Sequence, residues 1–101
     1  MNPEERSEKN DARDLQVKKA VALKYEFFND HAPRVVAKGE RRIAEQIIAI
    51  AQSNGIYIHE DPELVALLSK IDIGSEIPEI LYHAVAEVLA FVFQLNQKMK
   101  R

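Results

Sequence analysis

Residues 20–39 read AVALKYEFFNDHAPRVVAKG, and this stretch decides the fold. Val21, Leu23 and Tyr25 alternate with Ala20, Ala22 and Lys24, the period of two that marks a half-buried strand. The large apolar side chains share one face. The small alanines share the other, where a helix can pack closely. Glu26 to Ala32 carries Asn29-Asp30 and reads as a turn-bearing loop. Pro33 has no N–H to give a ladder, so the next strand is expected to start there. Val35-Val36-Ala37 form its body and Lys38-Gly39 its end, with Gly39 the expected site of a positive φ.

Downstream, Ile43, Ala44, Ile47, Ile50 and Ala51 recur at helical spacing within Glu40–Ser53, one apolar face of a helix. Asn54-Gly55 supplies its stop. Ile56 to His59 reads as a short third strand, so 35–58 would form a right-handed strand–helix–strand crossover with parallel strands. Asp61-Pro62 starts a second helix, as N-cap and first helical residue, with a stripe of Leu64, Leu67, Leu68 and Ile71. Asp72 to Glu76 turns the chain through Gly74. Pro78 opens a last helix reaching about Gln97. Its stripe of Leu81, Val85, Val88, Leu89 and Val92 is widened by Ile80 and Phe91 on one side and Tyr82, Ala86 and Phe93 on the other. So broad a stripe predicts core on two sides, with a partner surface as the alternative. The fold class is α/β: a small mixed sheet of three to four strands flanked by about four helices.

The chain has 101 residues, enough for one domain. Residues 1–14 are charged and almost free of apolar side chains, so a flexible tail is expected. Leu15 and Val17 lead into the first strand, the domain runs over 15–97, and 98–101 form a basic tail. The net charge of −2 and sequence pI near 5.9 argue against a protein that coats nucleic acid or anionic membrane. With no cysteine, disulfides, thiolate metal sites and cysteine nucleophiles are excluded. The start is too charged for a secretory signal, and no apolar run approaches the ~20 residues that cross a bilayer.

The same residues resemble the soluble domain of the FlhB/YscU family, the switch proteins of flagellar and type III secretion export. Four blocks agree in order: Ala20–Gly39; Ile58-His59-Glu60-Asp61-Pro62-Glu63-Leu64; Asp72-Ile73-Gly74; and Ile77-Pro78-Glu79 through Ala84-Val85-Ala86-Glu87-Val88-Leu89-Ala90. The resemblance covers roughly Ala20 to Leu95. It implies a four-stranded sheet, one strand of which precedes a self-cleavage motif, Asn-Pro-Thr-His. In this chain Leu15-Gln16-Val17-Lys18 stand at those positions. The family's nucleophile is the asparagine side-chain amide. Leu15 has no nucleophilic atom, and Gln16 has no proline ring to enforce the turn, so no cleavage is expected. Asn2-Pro3 lacks the Thr-His continuation. Family members place four membrane helices ahead of this domain. The chain therefore looks like a free-standing copy of the C-terminal cytoplasmic domain.

The function this implies is a non-catalytic component or regulator of flagellar or type III export. It would act like the released C-terminal piece of the switch in substrate-specificity control, in the cytoplasm or peripherally at the membrane-embedded export apparatus. The implied partners are export-gate proteins, the membrane-bound switch, export substrates or chaperones, and the length-sensing protein. Lys38, Arg41 and Arg42 gather at a helix start and are the candidates for an acidic partner. The strand 17–23, with Val17, Val21 and Leu23, is the candidate for edge pairing. The alternative is a small nucleic-acid or anion-binding module using Lys38–Arg42. One glycine is too few for a phosphate loop, and aromatic interleaving is absent. His31, His59 and His83 share no helical i, i+4 spacing, so surface or capping roles are expected and no metal or other cofactor. Phe27 and Phe28 fall in the loop before Pro33, and one of them is expected to anchor it.

Overall fold

The structure, a computed structural model, describes residues 17–99. Strands β1 (Lys19–Lys24) and β2 (Arg34–Glu40) pair antiparallel from Lys19 opposite Glu40 to Lys24 opposite Arg34. The register slips once, between Ala22 and Leu23. Ala37 and Val35 face consecutive β1 residues, leaving Val36 as the extra residue of a bulge. The connecting loop is closed by its own polar atoms. The Glu26 carbonyl accepts the amides of Asn29 and Asp30, and the Asp30 carboxylate accepts the Glu26 amide at 2.7 Å. The Asp30 carboxylate thus closes the loop onto a residue four places earlier. Ala32 and Pro33 are buried as the chain enters β2.

The second edge of β2 is filled from an unexpected direction. The turn at residues 74–77 lies against it: the Val35 amide donates to Ser75 O at 3.0 Å, the Gly74 amide to Val35 O at 2.7 Å, and the Ile77 amide to Pro33 O at 2.9 Å. Gly74 makes the approach possible, since its φ of 94° would strain any residue with a Cβ. The third strand expected at Ile56–His59 is absent. That segment runs without ladder hydrogen bonds, and the sheet of the described residues is two-stranded and antiparallel. The parallel crossover over 35–58 is therefore corrected. The edge of β2 that it could have used is already occupied, and Ile56 and Tyr57 keep much of their surface in solvent.

Three α-helices and one 3₁₀ turn complete the described part. α1 (Arg42–Ser53) packs on both strands. Its end is a Schellman motif: Gly55, at φ 66°, donates to Gln52 O, and Ile56 donates to Ala51 O. Its start corrects one expectation. The positive φ belongs to Arg41, at φ 53° and ψ −118°, and Gly39 is ordinary strand. Gly39 matters for space instead, because a Cβ there would collide with the Ile43 side chain. α2 (Pro62–Leu68) begins as expected: the Asp61 carboxylate accepts the Leu64 amide at 3.1 Å, and Pro62 opens the helix. The 3₁₀ turn Glu79–Leu81 leads into α3 (Tyr82–Met99).

The core lies between α2, the start of α3 and one face of the sheet. Leu64, Leu68, Ile77, Leu81 and Val85 are buried together, and Val21, Leu23, Ile71, Tyr82, Val88 and Leu89 pack against them. Core on both sides of α3 is not found. Ile80, in the turn before α3, is 88% exposed and Phe93 64%, so the described residues cover the centre of the broad stripe and leave both of its flanks outward.

Two substitutions test this frame. Lys38→Met removes an ammonium that donates to Ser69 O and Ile71 O at 3.0 and 2.7 Å. It should cost about 1.5–3 kcal/mol in urea unfolding, the range for charged hydrogen bonds. Arg41→Gly should stabilise the fold by about 1 kcal/mol: relief of backbone strain, about 1–3 kcal/mol, exceeds the extra chain entropy glycine loses, about 0.5–1 kcal/mol.

Candidate functional site

The cations at the sheet–helix corner do not form one patch. Lys38 is half-buried, and its ammonium is taken up by carbonyls at and beyond the C-terminal end of α2, where a positive charge also meets the negative end of the helix dipole. Arg41 and Arg42 stay exposed at the start of α1. The Arg41 amide is tied to Lys18 O at 2.8 Å. The corner thus leaves two arginines exposed and engages its lysine within the fold.

On β1, Val21 and Leu23 turn inward and pack against the core; Val17 is half-buried just before the strand. One edge of β1 carries the ladder to β2. Among the described residues no backbone group bonds to its other edge. Such an edge presents donors and acceptors to any extended segment that arrives. Of the positions that replace the cleavage motif, Val17 and Lys18 precede β1, whereas Leu15 and Gln16 lie outside the described residues.

The loop between the strands corrects another expectation. Neither phenylalanine anchors it. Phe27 is 74% and Phe28 94% exposed. They stack edge to face with centroids 5.1 Å apart, and Tyr25 meets Phe27 at 6.4 Å. Buried Ala32 and Pro33 hold the loop instead.

The histidines lie apart, each near a carboxylate: His31 near Glu76 at 3.6 Å, His59 near Asp61 at 3.8 Å, and His83 near Glu87 at 3.1 Å. No group of three metal-binding side chains occurs among the described residues. His59 belongs to a different feature. The segment Tyr57–Asp61 and the outer face of α3 form an open groove, with Tyr57, Val88, Phe91 and Ala84 as its apolar lining and Asp61 and Glu87 as its acids. Tyr57 and Phe91 meet across it with centroids 5.2 Å apart. Reading Phe91 only as a flank of a helical stripe missed this. The signal available was an aromatic at 57 in a strand too short to bury it.

Comparison with known proteins gives this arrangement a class. A sequence profile described as the FlhB HrpN YscU SpaS family matches residues 17–92. The chain belongs to this family. It is 42% identical over 84 residues to the uncharacterized protein YlqH of Bacillus subtilis, covering 83% of this chain and 90% of that one. It is 46% identical over 79 residues to the flagellar biosynthetic protein FlhB of Escherichia coli and 43% identical over 81 residues to that of Aquifex aeolicus. Those matches take in 77% and 79% of this chain but 21% and 23% of the relatives. The cytoplasmic domain of FlhB from Shewanella putrefaciens superposes with a TM-score of 0.75 at 39% identity, over 83% of this chain and 71% of that one. The H265A variant of the EscU C-terminal domain gives 0.71 at 30% identity, over 74% and 92%. The α/β fold is thus that of these C-terminal domains. No helix among the described residues is long and apolar enough to cross a membrane.

The exposed aromatic pair should be dispensable for stability. Phe27→Ser with Phe28→Ser is expected to shift the unfolding free energy by less than about 0.5 kcal/mol, as surface changes do. A loss above about 2 kcal/mol in urea would show that the loop is anchored through a ring after all.

Proposed function

We propose that this protein is a non-catalytic interaction component of flagellar or type III protein export, working as the cleaved C-terminal piece of the export switch works. One observation carries the reading. The family match begins at residue 17, and the residues at the family's cleavage position are Leu15-Gln16-Val17-Lys18. A leucine has no amide with which to attack its own carbonyl. The chain presents the family's fold after the cut, without the chemistry of cutting.

In this reading the protein is cytoplasmic and meets the export apparatus at the membrane from the inside. It substitutes for the released piece, or competes with it, in deciding which class of substrate is exported. The open edge of β1, lined on its inner face by Val21 and Leu23, receives an extended segment, such as the strand that the membrane-bound switch retains. Arg41 and Arg42 meet an acidic surface on the same partner, an export-gate protein, a chaperone, a substrate or the length-sensing protein. Lys38 supports this role from within by holding the α2 end to β2. A nucleic-acid reading is weaker: Arg34 and Lys38 are both engaged with carbonyls, leaving few clustered cations for phosphates.

The test is genetic and biochemical. Co-expressed with the membrane-bound switch disabled for cleavage, this protein should co-purify with it and restore export of filament proteins. Its own intact mass should show no scission at Leu15–Gln16. Normal filament export by the disabled switch in a strain lacking this protein, or a cut at that bond, would refute the proposal. Arg41→Glu with Arg42→Glu should weaken co-purification while leaving the fold unchanged.

A further inference from the structure

We infer that the groove between Tyr57–Asp61 and α3 is a second docking site, built for a short peptide carrying an arginine or lysine between two apolar side chains. The site is separate from the β1 edge and the arginine corner, and the inference does not depend on the export reading. Three observations converge on this occupant. First, the floor is aromatic and only partly covered: Tyr57 is 37% and Phe91 47% exposed, with Val88 between them. Such rings accept an aliphatic stem and attract a cation at their faces. Second, the two acids of the groove, Asp61 and Glu87, have only histidines as ion-pair neighbours among the described residues, at 3.8 and 3.1 Å. No lysine or arginine of the described chain neutralises them. Asp61 gives Oδ1 to the Leu64 amide as the α2 cap, so a partner's cation would meet Glu87 and the second Asp61 oxygen, and an acidic partner would be repelled. Third, the dimensions are small. Ala84 to Phe91 spans about 10 Å of helix at ~1.5 Å per residue. That is the length of about three extended residues at ~3.3 Å each.

The neighbouring backbone suits an extended peptide too. Residues 57–60 make no backbone hydrogen bonds to other described residues. Their amides and carbonyls are open to a segment lying along the groove, which would add main-chain bonds to the side-chain contacts. The apolar pair sets the depth of binding, and the central cation sets its direction between Asp61 and Glu87.

The experiment uses the full chain labelled with ¹⁵N. It is titrated with a Gly-Ser-flanked Leu-Arg-Leu peptide, and separately with Leu-Glu-Leu and Gly-Arg-Gly controls. Saturable shifts are expected at the amides of Tyr57, Ala84, Val88 and Phe91, weakening with added salt. Both controls should bind at least about tenfold more weakly. Glu87→Lys sits on an exposed side chain and should lower the affinity by about tenfold or more without changing the unfolding midpoint. Phe91→Ser should do the same if the spectrum stays dispersed. Equal binding of Leu-Glu-Leu, shifts scattered over other faces, or no shift at millimolar Leu-Arg-Leu would overturn the inference. So would concentration-dependent broadening of these amides without peptide, because the groove would then be an interface between two copies.

Discussion

The structure depends on β2 being held along both edges. β1 takes one edge through a ladder broken only by the bulge at Val36. The 74–77 turn takes the other through the amides of Val35, Gly74 and Ile77, and Arg34 adds a bond to Gly74 O at 2.7 Å with Glu76 at 3.6 Å. Val35, at the centre, has no exposed surface. Lys38 extends the same clamp toward α2 by reaching the carbonyls of Ser69 and Ile71. Ile77 is delivered into the core by this clamp and leads directly to Leu81 and Val85. Without it, the connection between α2 and α3 would have no fixed relation to the sheet, and a two-stranded hairpin alone is marginal in water.

The features legible in the sequence were those governed by neighbours along the chain. Asp61 caps α2 and Gly55 closes α1 because a cap needs only three or four adjacent residues. The periodicities of α1, α2 and α3 were legible for the same reason. What was not legible depended on distant residues. Ile56–Ile58 has a strand's composition, yet a strand exists only if an edge is vacant beside it, and β2's edge is taken by a turn 40 residues downstream of Arg34. Lys38 resembled its basic neighbours, but its partners lie 31 and 33 residues away. The breadth of the α3 stripe was plain, whereas the exposure of its flanks was not.

These differences sort the surface into working parts. The clamp consumes Lys38 and part of Arg34, so the basic corner reduces to Arg41 and Arg42. The strained backbone at Arg41 sets its amide against the Lys18 carbonyl. The uncovered parts of α3, the open edge of β1 and the Phe27–Phe28 pair are left facing outward. Apolar side chains thus stay exposed in two places, on α3 and at the Phe27–Phe28 pair, and unbonded backbone in a third, the outer edge of β1.

The central claim is that β2, clamped on both edges, sets the positions of α2 and α3 against the sheet. Native-state hydrogen exchange at the amides of Val35 and Ile77 tests it most directly. Both should exchange only through global unfolding, with opening free energies equal to the unfolding free energy measured in denaturant. Rapid exchange at Val35 and Ile77 while the α1 amides stay protected would show that the 74–77 turn is not part of the frame, and would contradict the account.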